Sequence, residues 1–383
     1  MRAEFLLKQE GTTKLKVPAE IKRSAFYNPK MELCRDVDIA CLAAFSRIAP
    51  KKERRYADAL AGTGVRGVRA ANELGIAAEI NDLSAEAYML INENIKLNNV
   101  EKLARAHNKD ANVFLSERRY EIVDLDPFGS PVPFLDSACR SVTELLLVTA
   151  TDTAPLCGAH PAGTRKYEAR PLKTEYHREM GVRILLGTVI RRLAAHEKAA
   201  TPLLVYAKKH FIRLVLRVER GARQADASLK QLGFVAHCFG CGNHLLFNCK
   251  DFLEFRGAGR CSHCGSRMKV AGPLYLGSIK SKTFCEEALH AANRFELGMK
   301  KQVEKILKTS RDELDIPFYY EHHALCKRLK ITPLPLVSVL EALRAAGFSA
   351  SKTVFSDTGF KTDANIKEIH EVLTCSEHMP PHF

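Results

Sequence analysis

The sequence predicts an α/β protein of Rossmann type: a parallel sheet covered by helices on both faces, then a cysteine knuckle and a smaller α+β unit. Three observations predict it. From about residue 55, short apolar runs alternate with helical stretches, the pattern of βαβ units. A G-x-G-x-x-G string at 62–67 follows the first of those runs and opens a helix. Two C-x2-C pairs, Cys238–Cys241 and Cys261–Cys264, stand 19 residues apart where the alternation stops.

Taken in order, Arg55 to Leu60 is the first strand, and the glycine string leads into a helix ending near Leu74. Ala77 to Leu83 is the second strand, carrying Asn81 and Asp82 at its end, and Ala85 to Leu97 is the helix that follows. Leu103 to His107 makes the third strand, with Asp110 and Ala111 just beyond it. Tyr120 to Leu125 is a buried strand that Gly129, Pro131 and Pro133 stop abruptly, and Glu144 to Ala150 is the fifth. A helix over 174–198 and apolar runs at 203–207 and 211–219 close the series. After the cysteine block at 237–265, Phe284, Ala288, Ala292, Phe295, Met299, Val303 and Ile306 recur at spacings of three and four, which predicts one long amphipathic helix. A short helix near 319–329, a proline-marked turn, a helix over 335–346 and two short β runs around Ser356–Gly359 resemble a winged helix. The division expected is 1–50, a gripping extension of the domain that follows; 51–225, that α/β domain; 226–280, the knuckle region; and 281–383, a basic α+β domain suited to a nucleic acid.

Composition narrows the partner. The chain has 383 residues, with 58 Lys+Arg against 44 Asp+Glu and a formal charge of +14. Such an excess favours a polyanion through phosphate contacts and counterion release. No apolar leader and no membrane-length run is present, so a cytoplasmic protein without a membrane partner is expected. Nothing calls for an obligate protein partner. Twelve cysteines in such a chain argue for metal rather than disulfides. Paired C-x2-C knuckles at this separation predict a closed, structural zinc site of Cys238, Cys241, Cys261 and Cys264. His237, His244, His263 and Cys249 lie nearby as possible substitutes.

The glycines of 62–67 let backbone approach a ligand closely, and Asp82, 20 residues after Gly62, suits ribose hydroxyls. This much fits a nicotinamide dinucleotide as well as S-adenosylmethionine. The later strands separate the two. Asp110-Ala111 suits an adenine edge, and Asp126-Pro127-Phe128-Gly129 displays an acid and a ring at a strand's carboxyl end. A nucleobase amine is a poor nucleophile because its lone pair is delocalised. A carboxylate that accepts its hydrogen bonds restores electron density and takes up the proton. An aromatic face holds the base by stacking, worth ~1–3 kcal/mol.

The strings FYNPKMELCRD (26–36), DALAGTGVRGVRAANE (58–73), DLDPFGSPVPFLDSA (124–138) and TDTAPLCGAHP (151–161) resemble the tRNA (guanine-26-N2)-dimethyltransferase family. RKYEARPLKTEYHREMGVRIL (165–185) and FKTDA (360–364) extend the likeness over nearly the whole chain, with Glu168-Ala169 where the pattern has a glycine. The resemblance implies a class I methyltransferase domain that moves methyl groups from S-adenosylmethionine to guanine N2 of tRNA. It implies that Arg35, Arg66, Asp82, Asp110 and Ala111 bind the donor, the two arginines its carboxylate. Asp126 would be the catalytic carboxylate, with Phe26 and Phe128 holding the flipped guanine. An amino-methyltransferase of another RNA or DNA base stays open as an alternative. So does a non-catalytic zinc-ribbon nucleic-acid-binding protein, though it needs no Asp126, Asp82 and Arg66 together. An NAD(P) oxidoreductase has no comparable use for Asp126 with Phe128.

Overall fold

The computed structural model describes residues 5–19, 25–208, 210–254 and 259–376. The chain opens with a hairpin of β1 (Phe5–Glu10) and β2 (Thr13–Pro18), and then α1 (Glu32–Ile48). The alternating unit follows: β3 (Arg55–Asp58), α2 (Val65–Leu74), β4 (Ala77–Asn81), α3 (Ala85–Leu97), β5 (Ala104–His107), α4 (Ala111–Ser116), β6 (Tyr120–Leu125), α5 (Leu135–Ser141) and β7 (Val142–Ala150). Next come α6 (Thr153–Leu156), α7 (Ala162–Tyr167), α8 (His177–Ala194), β8 (Lys198–Lys208), β9 (Phe211–Arg220) and α9 (Ala222–Leu229).

These strands form one sheet in the order β5-β4-β3-β6-β7-β9-β8. β3 to β7 are parallel, and β9 runs antiparallel between β7 and β8. The wholly parallel sheet expected from the sequence is corrected at this point. Two residues separate β8 from β9, too few for a crossover helix, so the chain must reverse. Ile122, Val123, Leu145, Leu146 and Leu147 have no exposed surface, as central parallel strands require. The amino-terminal hairpin is sewn to α3 by asparagines. Lys16 N donates to Asn94 Oδ1 at 2.7 Å and Lys14 N to Asn98 Oδ1 at 2.9 Å.

The knuckle is built on β10 (Leu232–His237), β11 (His244–Asn248), α10 (Cys249–Glu254) and β12 (Lys269–Tyr275), with strand order β11-β10-β12. The carboxyl-terminal part comprises α11 (Lys282–Ala292), α12 (Lys300–Asp312), β13 (Tyr320–Glu321), α13 (His322–Leu329), α14 (Leu336–Ala345), β14 (Ala350–Lys352), β15 (Gly359–Thr362) and α15 (Ile366–Ser376). Its strands pair in the order β13-β15-β14 over a small core that includes Leu325, Leu343, Phe360 and Ile369.

Three further expectations are corrected. The long helix through Phe284 and Ile306 is two helices. Between them Met299 N donates to the buried Asp36 carboxylate at 2.8 Å, and a Cβ on Gly298 would meet Glu32 Oε1 at 1.9 Å. Tertiary contact with α1 breaks a run whose periodicity continues on both sides. The helix expected over 174–198 is α8, 177–194, because Lys198 already belongs to β8. Residues 281–383 are not basic: their 14 Lys+Arg are matched by 14 Asp+Glu, so the net positive charge lies before residue 281.

Candidate active site and metal centre

β6 carries Asp126 out of the sheet at the edge where β3 and β4 also end. The turn after it is fixed at three points. Gly129, at φ +100, donates its N–H to Thr151 Oγ1 at 2.8 Å and accepts from Thr151 N at 2.9 Å. Ser130 Oγ lies 2.9 Å from the Tyr167 hydroxyl, which donates to Asp152 Oδ1. Held in this way, Phe128 stands 85% exposed, so it is no core residue. The Phe26 ring meets it edge-on, with centroids 5.6 Å apart and planes at 80°. Phe26 and Phe128 are therefore brought together beside Asp126.

The Asp126 side chain is 22% exposed, and its Oδ2 accepts from Arg66 Nε at 2.8 Å. Arg66 also donates to Asp38 Oδ2 and to Cys34 Sγ, the latter at 3.3 Å. Behind it, fully buried Arg213 donates from Nε and Nη2 to Asp38 at 3.0 and 2.8 Å. From Nη1 and Nη2 it donates to Asp124, both at 2.8 Å. Two guanidiniums thus share three carboxylates, and the charges pressed round Arg66 raise its pKa well above the ordinary value despite burial. Asp58, buried beside Asp124, accepts from Gly67 N at 3.0 Å. Burial first, then the charge of Asp124, pushes its carboxyl up to about 8, so it is protonated at neutral pH.

The glycine string shapes the neighbouring edge. Gly62 and Gly64 have φ of +56 and +78, and a Cβ on Gly62 would sit 2.4 Å from the Phe26 carbonyl oxygen. Asp82 accepts from Gly62 N at 2.8 Å and Ser84 N at 2.9 Å, which leaves lone pairs on both oxygens. Exposed Asp110 caps α4 by accepting from Asn112 N at 2.8 Å, and Ala111 is buried at the first helical position. Arg35 lays its fork on Glu10, with Nε to Oε2 at 2.7 Å, and its guanidinium centre is 5.2 Å from the Tyr27 ring centroid. Both arginines expected at the donor's carboxylate thus already hold protein carboxylates. They line one cavity of about 10 Å³, room for roughly one water molecule.

Sequence reasoning missed Asp38, which holds Arg66, Asp124 and Arg213, which pair behind it, and Tyr167, Ser130 and Thr151, which hold the turn. One signal was available. An aspartate inside the apolar run 120–125 must have a charged partner, because an isolated buried carboxylate is too costly.

At the knuckle, the sulfurs of Cys238, Cys241, Cys261 and Cys264 lie within 4.8 Å of one another, with 3.4 Å for Cys238–Cys264 and 3.6 Å for Cys241–Cys261. Four thiolates bonded to one zinc at ~2.3 Å would stand about 3.8 Å apart, so the donor set fits. Each knuckle turns on a glycine: Gly242 N donates to Cys238 O at 2.9 Å and Gly265 N to Cys261 O at 2.8 Å. Hydrogen bonds from the Ser266 side chain and backbone draw the Cys264 thiol down to about 6. His237 and His244 instead pack on Tyr176, outside the four-sulfur group.

Seven strands in this order, with a glycine loop and an acid–aromatic turn at their carboxyl ends, define a class I methyltransferase. A sequence profile of the N2,N2-dimethylguanosine tRNA methyltransferase family matches residues 7–374. The tRNA (guanine(26)-N(2))-dimethyltransferase of Methanosarcina mazei is 48% identical over 380 residues, covering 95% of this chain and 97% of the relative; that of Methanothermobacter thermautotrophicus is 41% identical, covering 95% and 97%. The structure of Trm1 from Pyrococcus horikoshii with S-adenosyl-L-methionine superposes with a TM-score of 0.86 at 35% identity, covering 96% of this chain and 99% of the other. The chain belongs to the N2,N2-dimethylguanosine tRNA methyltransferase family.

Proposed function

We propose that this protein transfers methyl groups from S-adenosylmethionine to the exocyclic N2 of guanine 26 in tRNA, giving N2-methyl- and then N2,N2-dimethylguanosine. One observation supports it above all: a partly accessible carboxylate, Asp126, beside a ring, Phe128, that the fold leaves 85% exposed. Exposing phenylalanine forfeits about 1.5–3 kcal/mol of burial, which a stacked base restores.

The residues divide the work. Asp126 accepts hydrogen bonds from the guanine amine, raises its nucleophilicity and takes the released proton. Arg66 keeps that carboxylate aimed, because its own position is set by Asp38 and Cys34. Phe26 and Phe128 grip the extruded base, which must leave its stack to be reached. S-adenosylmethionine supplies, when bound, a methyl already activated on a sulfonium. The loop at Gly62 and Gly64 gives it close backbone approach, Asp82 suits its ribose, and Asp110 with Ala111 suits its adenine. Arg35 and Arg66 have more N–H donors than their protein partners take, and serve its carboxylate end. Cys238, Cys241, Cys261 and Cys264 hold one structural zinc, closed to substrate.

Mass spectrometry of a tRNA transcript incubated with the protein and methyl donor tests the reading. Mass gains of one and two methyls on guanosine 26, absent from a transcript with adenosine there, are expected. An unmodified guanosine 26 would overturn the assignment.

A further inference from the structure

A cleft of about 250 Å³ opens beside the acid–aromatic turn, and the chemistry above makes no use of it. One wall is α6 and the turn after it, with Thr153 and Cys157. The second is the start of α8, with Lys173 just before it, then His177 and Arg178. The third is the β8–β9 hairpin, with Ala207, Phe211 and Ile212. The chain links the cleft to the acid–aromatic turn. Thr151, bonded to Gly129 by both its N–H and its hydroxyl, stands two residues before Thr153.

Its lining is one-sided in charge. Among the described residues that line it, Lys173 and Arg178 are the cations and none is a carboxylate. Lys173 is exposed, and Arg178 spends Nη1 on the Phe355 carbonyl at 2.9 Å, which orients the fork and leaves other N–H groups. Behind the wall, Lys208 at the end of β8 feels the charge of Asp357 first and then that of Lys305 and Arg178. His177 has its Nδ1 held 3.1 Å from the Thr174 carbonyl, so Nε2 is the ring's remaining polar atom. Burial lowers the His177 pKa, which makes that nitrogen an acceptor at neutral pH. Opposite the cations, Phe211 and Ile212 form an apolar floor. A volume of about 250 Å³ exceeds what a bare phosphate fills. Cations and an acceptor on one wall, with an apolar floor on another, are complementary to phosphate, ribose hydroxyl and base.

Resting on the methyl-transfer reading above, we infer that this cleft receives the nucleotide adjoining the extruded guanine, with its backbone phosphate on Lys173 and Arg178. The site then grips two neighbouring nucleotides, one at Phe128 for chemistry and one here for register. The evenly balanced charge of residues 281–383 supports placing a phosphate contact on the catalytic domain itself.

The test is a cycle between Lys173→Gln and tRNA transcripts carrying one neutral methylphosphonate linkage next to nucleotide 26. Lys173 makes no contact with the catalytic turn, so donor affinity and melting temperature should stay at wild-type values. Affinity for unmodified tRNA should fall roughly tenfold at low salt, and the slope of log K against log[salt] should shrink by about 0.7–0.9. One of the two linkages flanking nucleotide 26 should cost the wild type the same tenfold and the variant nothing. Independent losses at both linkages would overturn the inference while leaving methyl transfer intact. Inorganic phosphate binding that Lys173→Gln abolishes, without coupling to either linkage, would make the cleft a free-anion site and overturn it too. A wild type that neither binds nor methylates tRNA would overturn the functional reading and this inference together.

Discussion

Lys361 is a buried cation between two units, and removing its charge has a calculable effect. Its Nζ lies 3.1 Å from Glu179 on α8 and 2.9 Å from Glu313 at the end of α12, with the three side chains 2%, 0% and 3% exposed. Burial pushes the Glu179 carboxyl up, but Lys361 and Arg183 pull harder and hold it below the usual range. In Lys361→Met, Glu179 keeps Arg183 at 2.8 Å. Glu313 is left with only the Thr353 hydroxyl at 2.7 Å and the Val354 N–H at 3.2 Å, at a helix carboxyl end where the dipole also opposes it. Breaking one side of a buried ion pair costs about 3–5 kcal/mol. For a protein of this size that lowers the melting temperature by about 4–6 °C. Replacing Glu313 as well removes the uncompensated carboxylate and should restore part of the loss. Thermal melts of Lys361→Met and of Lys361→Met/Glu313→Gln at pH 8 measure this. The double variant should recover at least half the loss at pH 8. A single variant melting within 2 °C of wild type, or no recovery in the double, would refute the reasoning.

Other outcomes follow from the same contacts. Asp126→Asn keeps an acceptor for Arg66 Nε but removes the base, so single-turnover methyl transfer at saturating tRNA and donor should fall 10²–10⁴-fold with little change in melting temperature; a near-normal rate would return Asp126 to a turn-capping role. Protein purified without chelator should carry about one zinc per chain, and Cys241→Ser should lose the metal and loosen β10 to β12; metal analysis showing none would remove the zinc assignment. Asp58, at about 8 when folded, binds a proton that the unfolded chain releases near 3.9, so between those values its contribution to stability falls by about 1.4 kcal/mol per pH unit as pH rises. Asp58→Asn, which still offers Gly67 an acceptor, should flatten that slope in urea melts from pH 5 to pH 8; parallel curves would contradict the buried protonated acid.

Much of the fold was legible because the signals are local. Tyr120–Leu125 and Ala85–Leu97 have the bounds the sequence predicts, the first from a continuous apolar run stopped by glycine and proline, the second from helical periodicity. The acid–aromatic turn was legible for the same reason, since strand, stop and exposed residues are adjacent in the chain. What was hidden depends on tertiary partners. Periodicity carries on from Phe284 to Ile306 because both helices turn the same stripe inward, and only the meeting of Met299 with Asp36 breaks the run. The guanidinium forks of Arg35 and Arg66 suit a ligand carboxylate or a protein one equally. Spacing could not say that Glu10 and Asp126 take them. The glycine of the family pattern at 168 is a glutamate here, yet its backbone keeps the left-handed φ of +53, and its side chain pairs with Arg192.

The antiparallel β9 also sets an order for the molecule's birth. Arg213 closes on Asp38 and Asp124, residues made 175 and 89 positions earlier. Until β9 emerges from the ribosome, Asp38 has only Arg66 as its cation and Asp124 lacks both of its bonds from Arg213, and β7 offers a bare hydrogen-bonding edge to any neighbouring chain. The catalytic sheet therefore cannot mature domain-first during synthesis. Its centre waits for a strand at its far side, and the nascent chain is most open to misassociation just before residue 211 appears.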